Sequence, residues 1–294
     1  GLEDSLVGLS ITQKEQKDIE KFFENEENFN IPKRTCPLHD HMSKTCSECK
    51  RAKSPYYFKD MEIIKKYLNT HTVLEQPDGR RIFQFEFLFT SPPEEIFPPE
   101  KSNILQVVAS TISLRKRLKR DGVLDKYHQQ FVARYECQDL VKLDDNELSS
   151  LTTTIPHNFL EHFGVMHPKK PDKLRVVYNS AKANKPCSVI PAACMPCPAK
   201  FLNSLLTILI QFRLYHVAFT SDYTNPYEKL KIERKSQYYQ LVAWFDNLED
   251  EEPSIYRKVS ATFGKPGCSA MLECAKILMA LDTRCPFVKS IFEK

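Results

Sequence analysis

Long hydrophobic runs are missing from this chain of 294 residues. No segment reaches the roughly 18 consecutive apolar residues that a transmembrane helix requires. The first residues, GLEDSLVG, lack the basic-then-apolar order of a signal peptide. Internal repeats and low-complexity tracts are also missing. The sequence therefore predicts a soluble intracellular protein, nuclear or cytoplasmic, that is not secreted and has no membrane partner.

The chain also lacks a strong excess of charge of either sign. Its 42 Lys and Arg residues stand against 38 Asp and Glu residues, and the net charge of +4 neither requires nor excludes a nucleic-acid partner. The basic residues nevertheless cluster near 115–120, 169–175 and 229–235. Each cluster is either a solvated face or a binding surface. With 41% hydrophobic residues, the composition is that of a globular protein rather than a disordered one.

Ten cysteines occur without a secretory signal, which favours reduced thiols or metal ligands over disulfides. Cys36, His39, Cys46 and Cys49 form a Cys-x2-His pair followed by a Cys-x2-Cys pair. Structural zinc takes four tetrahedral thiolate and imidazole ligands, often supplied as two close pairs. This spacing predicts one structural Zn²⁺. His41 competes with His39 as the imidazole ligand, and the alternative is a surface loop of free thiols.

The order of periodic segments predicts an α+β fold. Helices are expected at 12–24, 59–68, 102–119, 124–133, 198–212 and 267–281. Strands are expected at 78–89, 161–167, 173–178, 216–221, 238–244 and 254–260. The segment SPPEEIFPPE cannot continue a strand ladder and is expected to be a loop. HPKKPD is expected to be the turn of a hairpin.

Three segments in the second half of the chain carry residues suited to nucleotide chemistry. KLRVVYNSAK places Lys173 and Arg175 two positions apart on a predicted strand, so both would share one face. A predicted strand then leads into Asp222, with Tyr227 five positions later. The third segment, FGKPGCS, begins at Phe263.

In order and spacing these segments resemble the reverse transcriptase of BEL/Pao-type LTR retrotransposons. That family has a K-x-R-V-V-F-D-A-S-A-K finger, an L-N-D helix ending in R-F-R, a D-I-x-x-M-F strand exit and an F-G-x-x-x-S-P loop. The corresponding blocks here are KLRVVYNSAK, the segment from LNSLL to QFR, SDYTNPY and FGKPGCS. A strand and two helices that resemble the family's connector come before them. The resemblance covers roughly residues 56 to 281.

The residue patterns and the resemblance together divide the chain into four parts. The patterns give an N-terminal helix and linker at 1–30 and a Cys/His zinc module at 31–55. The resemblance implies a strand with a helical connector at 56–150 and reverse-transcriptase-like fingers with a partial palm at 151–294. The resemblance also implies roles for individual residues. Asp222 would be a vestigial metal ligand, Tyr227 would face the sugar, and the phosphates would be bound by Lys169, Lys170, Lys173 and Arg175.

Several departures from the family pattern affect the expected chemistry. Asn179 replaces the usual aspartate, Pro226 precedes Tyr227, and Lys265 interrupts the F-G loop motif. The chain also has no Asp-Asp pair after Phe263. Phosphoryl transfer by such enzymes needs two metal ions held by carboxylates from separate strands. We therefore expect a domesticated relic without catalytic activity, truncated before the Asp-Asp motif.

The expected activity of such a relic is intracellular binding of RNA, DNA or a protein partner. A polymerase cleft is concave and basic, which favours nucleic acid. Trp244 is the only tryptophan, and the tyrosines show no array of stacking platforms, which favours a protein partner. One alternative is an N-terminal fragment of an active RNA-directed DNA polymerase. Another is a zinc-dependent protein adaptor.

Overall fold

The computed structural model describes residues 8–9, 55–77, 79, 81–167, 169–198 and 223–282. The predicted helix at 12–24 and strand at 216–221 lie outside the described residues, as does all but the first residue of the predicted helix at 198–212.

Within these ranges the fold is a mixture of helices and small sheets, which confirms the predicted α+β class. The helices are α1 (Pro55–Thr70), α2 (Pro93–Ile96), α3 (Ile104–Arg120), α4 (Leu124–Glu136), α5 (Asp145–Thr153), α6 (Pro226–Lys229), α7 (Arg234–Gln237) and α8 (Pro266–Asp282). The strands are β1 (Gly8–Leu9), β2 (Thr72–Glu75), β3 (Arg81–Phe85), β4 (Leu140–Lys142), β5 (Glu161–His167), β6 (Lys170–Asn179), β7 (Lys231–Ile232), β8 (Leu241–Trp244) and β9 (Ser254–Lys258). None of these helices combines the length and apolarity needed to span a bilayer.

Helix α3 shows why the longer elements follow the sequence pattern. Its buried side chains, Val107, Thr111, Leu114 and Leu118, recur at intervals of three and four residues and so form one face. The helix ends before Gly122, whose φ of 68° lies in the left-handed region that favours glycine. Helices α1, α4 and α8 likewise agree with their predicted positions.

Two predictions about the segment between α1 and α3 are wrong in part. The strand expected at 78–89 ends at Phe85, because the backbone N–H of Phe87 donates to Ser236 Oγ at 2.9 Å instead of continuing a ladder. The proline-rich loop contains two helical turns, α2 and a 3₁₀ turn at Pro99–Lys101. Each turn begins with proline, whose fixed φ suits the first helical position.

The chain divides into two compact units that interleave along the sequence. The first unit comprises residues 1–83, 197–226 and 269–294, and the second unit comprises 84–196 and 227–268. Within the first unit, β1 pairs antiparallel with β2, and the Cys274 thiol on α8 lies 4.0 Å from the carbonyl oxygen of Ile64 on α1.

The second unit contains an antiparallel sheet in the order β4-β9-β8 and the separate β5–β6 hairpin. A buried cluster packs α3 and α4 against the hairpin and β8, and it includes Leu114, Phe131, Leu160, Val176 and Trp244. A second cluster around Leu241 lies on the other face of that sheet. The first cluster holds the hairpin in place.

Candidate nucleic-acid interface

The β5–β6 hairpin presents Arg175 on its outer face. Arg175 lies opposite Val165 in the antiparallel ladder. Its neighbours Leu174 and Val176 are buried, while Arg175 is exposed, because successive side chains on a strand alternate between two faces. The strand predicted to contact phosphates therefore carries a solvent-accessible guanidinium.

The three predicted phosphate-binding lysines lie around the turn of this hairpin. Lys169 is exposed in the turn, and Lys170 and Lys173 lie on β6. The ladder is regular at Arg175 but shifts register next to the turn. The shared face expected for Lys173 and Arg175 therefore stays a prediction.

The inner face of the hairpin is fixed by a close approach to α4. A Cβ atom on Gly164 would lie 3.1 Å from two ring atoms of Tyr127. The Tyr127 hydroxyl lies 2.7 Å from His162 Nδ1, and His162 Nε2 lies 2.9 Å from the carbonyl oxygen of Ala243. Burial lowers the pKa of His162 to about 4, so its imidazole is neutral. Since a carbonyl only accepts, Nε2 carries the proton and Nδ1 accepts from Tyr127.

The structure brings Tyr227 and the F-G loop together at the end of the hairpin. The ring centroids of Tyr227 and Phe263 are 5.4 Å apart, with the rings inclined at 75°. Phe263 is 71% exposed, and the φ of 88° at Gly264 turns the chain behind it. Ser180, which follows β6, donates from Oγ to the Gly264 carbonyl oxygen at 3.4 Å. Three of the predicted motifs therefore adjoin within the second unit.

Lys265 fixes the F-G loop through buried contacts. It is buried, and its Nζ lies 4.0 Å from the centroid of the Phe87 ring. The ammonium group donates to the Tyr239 carbonyl oxygen at 3.3 Å and to Gln240 Oε1 at 3.4 Å. Burial lowers the pKa of Lys265 to about 7. The sequence shows Lys265 only as a departure from the family pattern.

A buried ion pair lies close to the same loop. Lys258 Nζ lies 2.6 Å from Asp139 Oδ2 and 2.8 Å from Ser260 Oγ. Burial acts to raise the pKa of Asp139, but the charge of Lys258 and the hydrogen bonds from Lys258 and Ser260 lower it overall. Arg134 continues the network, 3.7 Å from Glu228 beside Tyr227. Sequence reasoning missed this cluster, because charged residues on a short strand are usually exposed.

A groove of about 720 Å³ lies between α3 and β5. Helix α3 contributes Ser110, Ser113 and Arg117 to its wall, and β5 contributes Gly164 and Met166. The sequence pattern of α3 shows its basic residues but gives no sign of a groove beside them.

The predicted zinc ligands Cys36, His39, Cys46 and Cys49, and the vestigial Asp222, lie outside the described residues. Across the described ranges, no group of three or more His, Cys, Asp or Glu side chains is placed to hold a metal ion. The structural zinc site therefore stays a prediction.

The chain matches no protein-family model, no curated protein sequence and no solved structure. The resemblance to BEL/Pao reverse transcriptases therefore depends on the sequence motifs.

Proposed function

We propose that the protein is a retrotransposon-derived, reverse-transcriptase-like module that binds single-stranded nucleic acid without catalysing polymerisation. The observation that carries the proposal is the meeting of three motifs that are far apart in the sequence. Ser180, at the end of the hairpin, contacts Gly264 of the F-G loop at 3.4 Å, and Phe263 of that loop contacts Tyr227 at 5.4 Å between ring centroids. This adjacency supports an inherited nucleotide-binding cleft.

The exposed groups around these motifs suit a flexible polyanion. Arg175 and Lys169 are exposed on the hairpin and supply cations for phosphate contacts. Phe263 exposes most of its ring, and aromatic rings stack with any base. Phosphate contacts and stacking are both insensitive to sequence, so we expect binding that is largely sequence-independent and weakens as salt rises.

The absence of polymerase activity is proposed from the carboxylates in the sequence. A two-metal site positions both ions with carboxylates from separate strands. In these 294 residues, Asp222 is the one carboxylate that the family motifs assign to such a site. A single aspartate cannot hold both metal ions, so most of the negative charge of the transition state stays unbalanced.

We also propose one structural Zn²⁺ held by Cys36, His39, Cys46 and Cys49.

The test is a titration of labelled single-stranded RNA at low and at high salt. Wild type should bind at low salt and lose affinity steeply at high salt, because bound counterions are released. The double variant Lys173→Glu with Arg175→Glu should abolish binding. The matched control is Lys65→Glu with Lys66→Glu, which makes the same charge change on exposed positions of α1. Thermal unfolding by circular dichroism checks that every variant is folded.

Two results would contradict the proposal. Negligible affinity of the wild type for RNA and DNA at low salt would favour a protein-binding relic. Equal loss of affinity in the hairpin variant and the α1 control would show that binding depends on net charge and not on the hairpin.

A further inference from the structure

The α3 wall of the groove has one side chain that remains available to a ligand. Ser110 donates to Glu161 at 2.9 Å and Ser113 donates to the Ala109 carbonyl oxygen at 2.9 Å, so both hydroxyl protons are used within the protein. Arg117 lines the groove and is exposed. A guanidinium offers a planar fork of donors that matches two oxygens of a phosphate.

The carboxylates that line the groove are balanced by neighbouring cations. Glu161 lies 3.9 Å from Lys182 Nζ, and Asp121 accepts from Arg120 Nε at 3.2 Å. The Arg120–Asp121 pair is exposed and Glu161 is half-buried, and each cation offsets a negative charge that would repel a polyanion. The charge that Arg117 adds therefore leaves the groove positive.

The groove adjoins the strand that pairs with the hairpin residue already described. Arg175 lies directly opposite Val165, and the two neighbours of Val165, Gly164 and Met166, line the groove on the other face of the strand. Paired strands lie about 4.8 Å apart, so roughly one strand spacing separates the backbone at Arg175 from the groove. Within the described residues β5 pairs with β6 alone, which leaves its other edge facing α3.

We infer that the groove between α3 and β5 is a second contact site for the phosphodiester backbone of single-stranded nucleic acid, with Arg117 as its phosphate-binding residue. The inference rests on the proposed function. The bound nucleic-acid strand runs from Arg175 across β5 to Arg117. Since the contact is to phosphate, RNA and DNA bind this groove equally.

The experiment compares wild type with Arg117→Ala and Lys116→Ala. Lys116 is the matched control, because it is exposed on the same helix but does not line the groove. The probes are labelled oligo(U) and oligo(dT) of equal length, titrated over a series of salt concentrations. Arg117→Ala should weaken binding of both probes about tenfold, as expected when a charged hydrogen bond is removed. Its plot of log affinity against log salt should flatten by about 0.7 for each phosphate that the protein no longer neutralises. Lys116→Ala should keep the wild-type slope.

The outcomes separate this inference from the proposed function. Equal behaviour of the Arg117 and Lys116 variants, with binding still abolished in Lys173→Glu plus Arg175→Glu, overturns the groove and leaves the proposed function intact. No binding by wild type overturns both. A preference above tenfold for either probe overturns a phosphate-only contact. Polyglutamate of matched charge serves as a competitor. If it displaces labelled oligo(U) as effectively as unlabelled oligo(U) does, the assignment to a phosphodiester is overturned.

Discussion

The inner face of the hairpin depends on a few residues whose roles come from contacts distant in the sequence. His162 joins β5 to α4 through Tyr127 and to β8 through Ala243. Gly164 lets the Tyr127 ring approach the strand so closely that a Cβ atom there would lie only 3.1 Å from the ring. Neither role has a sequence signal, since a lone histidine and a lone glycine in a strand have many explanations.

The buried imidazole predicts a pH dependence of stability. The folded-state pKa of His162 is about 4, below the value of about 6.5 for an unfolded chain. Between these values only the unfolded chain takes up the proton. The free energy of unfolding should therefore fall by about 3 kcal/mol as pH decreases from about 6.5 to 4.

Urea denaturation at several pH values, on wild type and on His162→Gln, measures this contribution. The amide can still donate to the Ala243 carbonyl and accept from Tyr127, but it does not titrate. The variant should lose most of the slope between about pH 6.5 and 4. Identical slopes in the two proteins would assign the pH dependence to other groups, such as His157, whose pKa is also lowered by burial.

The close packing at Gly164 predicts a cost for the smallest side chain. Gly164→Ala places a methyl group 3.1 Å from the Tyr127 ring, and overpacking of this kind costs about 1 to 3 kcal/mol. The same substitution should cost less in a Tyr127→Leu background, because the ring is then absent. Thermal and urea unfolding of the four proteins form a double-mutant cycle. If Gly164→Ala costs the same stability in both backgrounds, the cost comes from the backbone preference of glycine and not from the contact with the Tyr127 ring.

At the scale of elements, the sequence predicts those whose periodicity is long enough to be distinctive. Helices α3 and α4 follow from their apolar spacing. Both strands of the hairpin lie at their predicted positions, but β6 begins at Lys170, so the turn predicted for HPKKPD is shorter than expected. The helical turns after Pro93 and Pro99 were missed, because proline stops a strand and also starts a helix. In the candidate site, the sequence identified the hairpin, Tyr227 and the loop as separate motifs. The pairing of Lys258 with Asp139 depends on tertiary contacts that no local pattern encodes.

The Cys/His module carries its own prediction. Purified protein should contain one equivalent of zinc per chain, because Cys36, His39, Cys46 and Cys49 supply two close pairs of soft ligands. Metal analysis of Cys46→Ser with Cys49→Ser should show no bound zinc, while Cys137→Ser, at an exposed thiol elsewhere, should retain it. Less than about half an equivalent in wild type, or full retention in the double variant, would rule out this ligand set.

At the scale of the whole molecule, the chain of 294 residues should not extend a primer. With Mg²⁺ or Mn²⁺ and any primed template, we expect no product above background, because Asp222 alone cannot hold the two-metal arrangement. Gel analysis of a labelled primer measures this. Extension that persists in wild type and vanishes in Asp222→Ala would show that the chain completes a catalytic site.

The second unit is built from two stretches of chain, 84–196 and 227–268, and this has a consequence for biosynthesis. Phe159, two residues before β5, bridges to Leu241 of β8, and β9 joins β8 to β4. The first stretch therefore leaves the ribosome before its partners are synthesised. Translation adds about 5 to 20 residues per second, so the apolar faces of α3, α4 and the hairpin stay uncovered for seconds before β8 is synthesised. During that interval the nascent chain exposes its future core. A ribosome stalled between the two stretches should therefore hold a chain that chaperones recognise and that proteases cleave readily.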